Sequence, residues 1–210
     1  MENTILLGSY PQSLVIDNDL IAKLNNRELK DNICEFEGNR YIKFNGDFFL
    51  FEPIEWLVVP ENRILNTVKL ISKKVIDFHS FFRNKAEDEE FDLIRHLNIT
   101  FRNLAFAKEE QAKLRYMKRT GKIWYDGTKT QPGFVDLPTL NTFENKDELY
   151  NTSFTDYAKS GACYSEYFLS ESYLDLGLVV NLETHDRAYA AKSHYPHGIR
   201  PIIKVVKDYE

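Results

Sequence analysis

The densest set of potential metal ligands in this chain is His185-Asp186, followed by His194, Pro196 and His197. Imidazoles and a carboxylate would offer zinc nitrogen and oxygen ligands if a turn at Pro196 made them converge. Without a repeated ligand spacing, the plain alternative is a solvated loop. A second chemistry is nucleophilic: a thiolate at Cys163, beside Gly161-Ala162 and Tyr164, would serve if an imidazole activated it. The ordinary behaviour of a free cysteine predicts instead a buried, inert thiol. A third is anion binding by Arg200 within Gly198-Ile199-Arg200-Pro201, because guanidinium grips carboxylate or phosphate with two bonds. Arg200 and Glu55 both lie among apolar residues, the latter beside Trp56. A lone buried charge is costly, so the two are expected to pair and to join the first and last thirds of the chain.

The fourth chemistry is electrostatic. Five basic residues, Lys113, Arg115, Lys118, Arg119 and Lys122, lie between 111 and 125 with no acidic one, and Tyr116, Trp124 and Tyr125 are interleaved. Cations beside accessible rings contact phosphates while bases stack, which suits nucleic acid or an acidic partner. The competing account is a solvated helix end whose cations complement the dipole ahead of Gly121. Loops at 121–133 and 185–197 offer Trp124, Tyr125, Tyr189 and Tyr195 as anchors for a protein partner. No GxGxxG, P-loop, HExxH or GxSxG occurs, so the sequence calls for no cofactor and names no catalytic residue.

The elements that must position these groups read as α+β. Leu20, Ile21 and Leu24 recur at helical spacing after Asp19, a suitable N-cap, which predicts a helix over 19 to about 30. Asn45-Gly46 between two apolar runs predicts a type I′ hairpin. Apolar, β-branched stretches at 54–59 and 68–76 make four strands before residue 80, separated by a polar turn at 60–63. Residues 87–119 are rich in helix formers and lack Gly and Pro, so helices are expected there, including one over 107–118, with the acidic run 87–90 at a helix start. Strands return at 134–137, 167–169, 178–182 and 201–206, with a helix over 146–150. Strands, helices, then strands predict one mixed or antiparallel sheet rather than βαβ units.

With 210 residues, 43% hydrophobic and 14% aromatic, the chain has the composition of a single folded domain. Its net charge of −5 gives no global attraction to phosphate, so a nucleic-acid role needs a local patch. Two distant cysteines, Cys34 and Cys163, exclude a CxxC motif and suit a reducing, cytoplasmic setting. The amino terminus lacks the pattern of a signal peptide and no apolar run reaches membrane-spanning length, so neither secretion nor membrane insertion is expected.

Several ordered segments resemble a family of uncharacterised bacterial and phage-associated proteins, the domain of unknown function numbered 6273. They are Gly8-Ser9-Tyr10-Pro11-Gln12, then Pro53-Ile54-Glu55-Trp56 and Leu70-Ile71-Ser72-Lys73-Lys74. Leu93-Ile94-Arg95-His96-Leu97-Asn98, Tyr157-Ala158-Lys159-Ser160-Gly161 and Gly198-Ile199-Arg200-Pro201 complete the order over nearly the whole chain. Where the family often has Trp-Leu-Arg-Ser, this chain has Tyr167-Phe168-Leu169-Ser170, without the arginine. The family is similar in organisation to C-type-lectin-like and formylglycine-generating-enzyme-like domains. The resemblance implies a non-enzymatic binding module that presents loops to a protein partner. The alternative is a phage or mobile-element inhibitor of a host nucleic-acid-handling protein, acting through 111–125.

Overall fold

Asn45 and Gly46 take φ of 50° and 96°, the two positive values that a type I′ turn requires, and Phe44 pairs with Asp47 across them. The computed structural model describes residues 4–59, 66–80, 92–117, 133–143, 145, 147–173, 176–190 and 195–207. The predicted turn at 60–63 and the acidic run 87–90 lie outside them. The hairpin joins β3 (Asn39–Phe44) to β4 (Asp47–Val59), a 13-residue strand that absorbs two of the predicted ones.

Two sheets form instead of the single one expected. The larger runs β2 (Ile33–Phe36), β3, β4, β5 (Thr67–Ser72), β12 (Ile202–Val206) and β7 (Val135–Asp136), with β1 (Thr4–Leu14) on the other edge of β4. The smaller runs β10 (Asp186–Ala190), β9 (Leu176–Asn181), β8 (Glu166–Tyr173), β11 (Pro196–Ile199) and β6 (Asp77–Ser80). Among the described strands all pairings are antiparallel except β8 with β11. A two-stranded ribbon passes from one sheet into the other, because β5 and β12 pair in the first while β6 and β11, next to them in sequence, pair in the second. Hydrogen bonds from Ser72 N to Pro201 O and from Ile76 N to Ile199 O, both 3.0 Å, hold the ribbon together at its bend. Arg200 sits at that bend.

Helix α1 (Asn18–Asn25) is capped by Asp17 rather than Asp19: the Asp17 carboxylate accepts from Asp19 N and Leu20 N. Helical residues α2 (Asp92–Arg95), a π-helical segment His96–Phe101 and α3 (Arg102–Ala105) follow one another without a break. The helix expected over 107–118 is only α4 (Lys108–Gln111). After it Leu114 bridges Val205 and Met117 bridges Gly133, so pairing with the sheet overrides helix propensity. Short helices α5 (Asp147–Tyr150) and α6 (Asp156–Gly161) precede β8. One apolar cluster takes Trp56, Leu70 and Ile203 from the larger sheet, Phe168, Val179 and Ile199 from the smaller, and Leu93, Leu97 and Phe101 from the helix. The edge strand β1 is blunted by carboxylates: Glu110 accepts from Gly8 N at 2.9 Å and Asp156 from Leu14 N at 3.2 Å. Among the described residues no helix is long and apolar enough to cross a membrane.

Candidate functional site

The helix 92–105 is held on two sides by polar side chains from its π-helical part. A π turn inserts an extra residue and changes which way the following side chains face. Here the Arg102 N–H reaches Leu97 O, an i to i−5 bond. On one side His96 Nε2 donates to Asp77 Oδ2 at 2.6 Å. Asp77 is 1% exposed, and its Oδ1 accepts from Phe78 N. Burial first, then the Asp77 charge, holds Tyr10 well above its ordinary value, and the same two causes raise Tyr157. The His79 ring lies 4.4 Å from that of His96, and its Nδ1 donates to Ser80 O. Sequence reading did not single out Asp77, His79 or His96 for chemistry. The available signal was strand alternation, which puts Asp77 and His79 on one face of β6.

On the other side Asn98 meets residues 133–135. Its Oδ1 accepts from Phe134 N at 2.8 Å and Val135 N at 3.1 Å, while its Nδ2 donates to Val135 O and Ile94 O. That uses the full capacity of an amide side chain. Gly133 is required there, since a Cβ would stand 2.9 Å from Asn98 Nδ2. Four residues further on, Arg102 places its guanidinium 4.0 Å from the centre of the Phe134 ring. Tyr116 lies 4.0 Å from the same centre with the planes 32° apart. Two groups so close to one ring need its two faces, so Phe134 is clamped between a cation and an aromatic. Asn98→Ala is expected to cost about 2 kcal/mol, because buried amides of 134 and 135 lose their acceptor. Urea unfolding checks this, and a midpoint that stays put would refute the clamp.

Of the basic and aromatic residues read from 111–125, Lys113, Arg115 and Tyr116 are described, and Lys118, Arg119, Lys122, Trp124 and Tyr125 lie outside the described residues. Arg115 is exposed and donates to Ala112 O and Leu114 O. The expected Glu55–Arg200 pair does not form. Glu55 points outward and meets Lys73 at 2.9 Å with both side chains about half exposed, and that hydrogen bond holds its carboxyl below the ordinary value. Alternation explains the error: Ile54 and Trp56 face the core, so Glu55 between them cannot. Trp56 is fully buried as expected, donates to Leu7 O at 2.8 Å and stacks on Phe106. Arg200 is buried at 1% exposure. Its partners are Ser72 O at 3.0 Å and Glu148 O at 3.3 Å, with the Phe143 and Tyr167 rings 5.4 and 5.9 Å away.

The span 185–197, expected as a loop, contains β10 and β11. His185 is exposed in a turn and stacks on Tyr150. His197 is buried, lying 3.4 Å from a Glu166 oxygen and edge-on to Phe168. Burial lowers its basicity and Glu166 opposes that. His194 and the Tyr189 side chain lie outside what is described. Among the described residues no three His, Cys, Asp or Glu side chains stand close enough to hold a metal ion. Cys34 is the buried thiol, raised by desolvation, whereas Cys163 is exposed, contrary to expectation. Cys163 lines a cleft of about 390 Å³ with Lys159, Tyr164, Asn181 and Glu183. Of its lining, Tyr164, 51% exposed, stacks on His197 and meets Tyr195, 59% exposed, edge to face. Tested against protein-family models, curated proteins and solved structures, the chain matches none.

Proposed function

We propose that this chain is a non-enzymatic binding module, a C-type-lectin-like α+β scaffold of the kind its sequence motifs resemble, and that its partner is a protein. The observation that carries the reading is the Tyr164–Tyr195 pair. Two adjacent tyrosines more than half exposed stand on a buried histidine that fixes one of them, beside a cleft with amide and charged groups. Rigid tyrosines bury much area at little entropy cost and dominate protein interfaces, while a rim of Lys159, Asn181 and Glu183 would supply orientation. The buried polar groups serve the fold: Asp77 ties a helix to a strand and Arg200 ties a bend to a helix.

Affinity capture on immobilised protein provides the test, comparing the unmodified chain with a Tyr164→Ala, Tyr195→Ala variant. Loss of both anchors is expected to weaken a captured partner by about 30-fold or more, while melting moves by only about 2–4 °C because the rings are exposed. Undiminished capture by the variant would place the binding surface elsewhere.

A further inference from the structure

We propose that the Arg102–Phe134–Tyr116 stack is a platform on which a base of a single-stranded nucleic acid lies, with phosphate drawn in by Arg102 and Arg115. This surface is separate from the Tyr164–Tyr195 pair and does not depend on the reading given for it.

The outermost ring, Tyr116, is 63% exposed, and among the described residues Phe134 is the ring that backs it, from one side. Its other face is open for stacking. A free aromatic face gains most when the ring is already fixed, because little freedom is then lost on binding. Tyr116 is fixed through Phe134, Phe134 through Arg102 and Asn98, and Asn98 through a π-helical turn packed on the core. Close approach of Gly133 to the Asn98 amide leaves that linkage no room to shift.

Charge completes the site. Among the described residues Arg115 donates to backbone carbonyls, and Arg102 Nε is buried there without an acceptor. Neither guanidinium has a carboxylate partner there, on a chain whose net charge is −5. Arg115 adjoins Tyr116 in the chain and Arg102 lies across Phe134 from it, so uncompensated cations flank the open ring as phosphates flank a stacked base. A duplex keeps its base faces inside, so the chemistry selects single strands.

The experiment is fluorescence anisotropy with labelled oligo-dT and oligo-rU of about 10 nucleotides. Binding is expected near 50 mM salt. Two or three phosphate contacts predict roughly a tenfold loss of affinity between 50 and 200 mM. Tyr116→Ala should weaken binding about tenfold or more, Tyr116→Trp should preserve it, and Arg115→Glu should reduce it, with melting moved by no more than about 2–4 °C because the positions are exposed. A duplex of the same length should bind more weakly. Absence of binding at low salt, or equal binding by Tyr116→Ala, overturns the proposal. So does a captured protein that Tyr116→Ala loses while no oligonucleotide binds, an outcome that would assign the platform to a protein partner.

Discussion

Arg200→Ala is expected to lower the unfolding free energy by about 3–5 kcal/mol, whereas Glu55→Gln should change it by less than about 0.5 kcal/mol. The two were joined in one expected pair, and the fold separates them. Arg200 occupies the bend where the ribbon leaves one sheet for the other, with its Nε on Ser72 O, its Nη1 on Glu148 O and the Tyr167 ring 5.9 Å away. Truncation would leave the carbonyls of Ser72 and Glu148 without their donor in a dry site, each costing about 1–3 kcal/mol, and would open a cavity between Phe143 and Tyr167. Lysine cannot restore this, because one ammonium cannot reproduce a planar fork that reaches two elements. In a domain with an ordinary stability of 5–15 kcal/mol, melting should fall by about 10 °C or more. Glu55 pairs with Lys73 in solvent, where ion pairs contribute little. Denaturant titration of both variants distinguishes them, and a wild-type curve for Arg200→Ala would mean that the bend does not need its arginine.

The failed pairing illustrates what was legible in the sequence and what was not. Composition around Arg200 announced burial, and it is buried. It could not announce direction, because Arg200 lies between β11 and β12 rather than within a strand, and the bend sets where its side chain points. For Glu55 the direction was legible, since Ile54-Glu55-Trp56 alternates about a strand and only its flanking residues can face the core. Local signals served where local physics decides: Asn45-Gly46 fixed the hairpin, and the runs 167–169, 178–182 and 201–206 became strands, the last beginning one residue later at Ile202. They failed where distant pairing decides. Ala107 to Lys118 favours helix by composition, yet Leu114 and Met117 are drawn to the strand side by Val205 and Gly133. The platform was half visible, because Arg115 and Tyr116 stood out as cation and ring. Arg102 and Phe134 became part of it only through a π-helical turn, and single-sequence periodicity carries no mark of one.

Alkaline solution should unfold this protein through its buried tyrosines. Tyr10, Tyr157 and Tyr167 are at most 7% exposed, and burial is the leading cause that raises each above 10.0. The Asp77 carboxylate adds to it for Tyr10 and Tyr157, since a second negative charge beside it is unfavourable. For Tyr167 the Arg200 guanidinium works the other way, and the net is about 12. A group whose folded value is raised contributes stability that is complete below the unfolded value and lost as pH climbs towards the folded one. Unfolded tyrosines release protons from about pH 10 while these three keep theirs, so unfolding is favoured by proton release. Tyr167 alone would contribute a loss of about 2–3 kcal/mol by pH 12, and three such groups a slope of about 4 kcal/mol per pH unit above pH 10. The check is the urea midpoint from about pH 8 to 11.5, followed together with tyrosinate absorbance. Stability should be unaffected by these groups below about pH 10 and then fall steeply, with their tyrosinate signal rising only as the fold is lost. Tyr167→Phe should remove about a third of the slope, because phenylalanine has no proton to release. If the midpoint stays level to pH 11.5, or these tyrosines ionise while the fold persists, their burial does not control their titration.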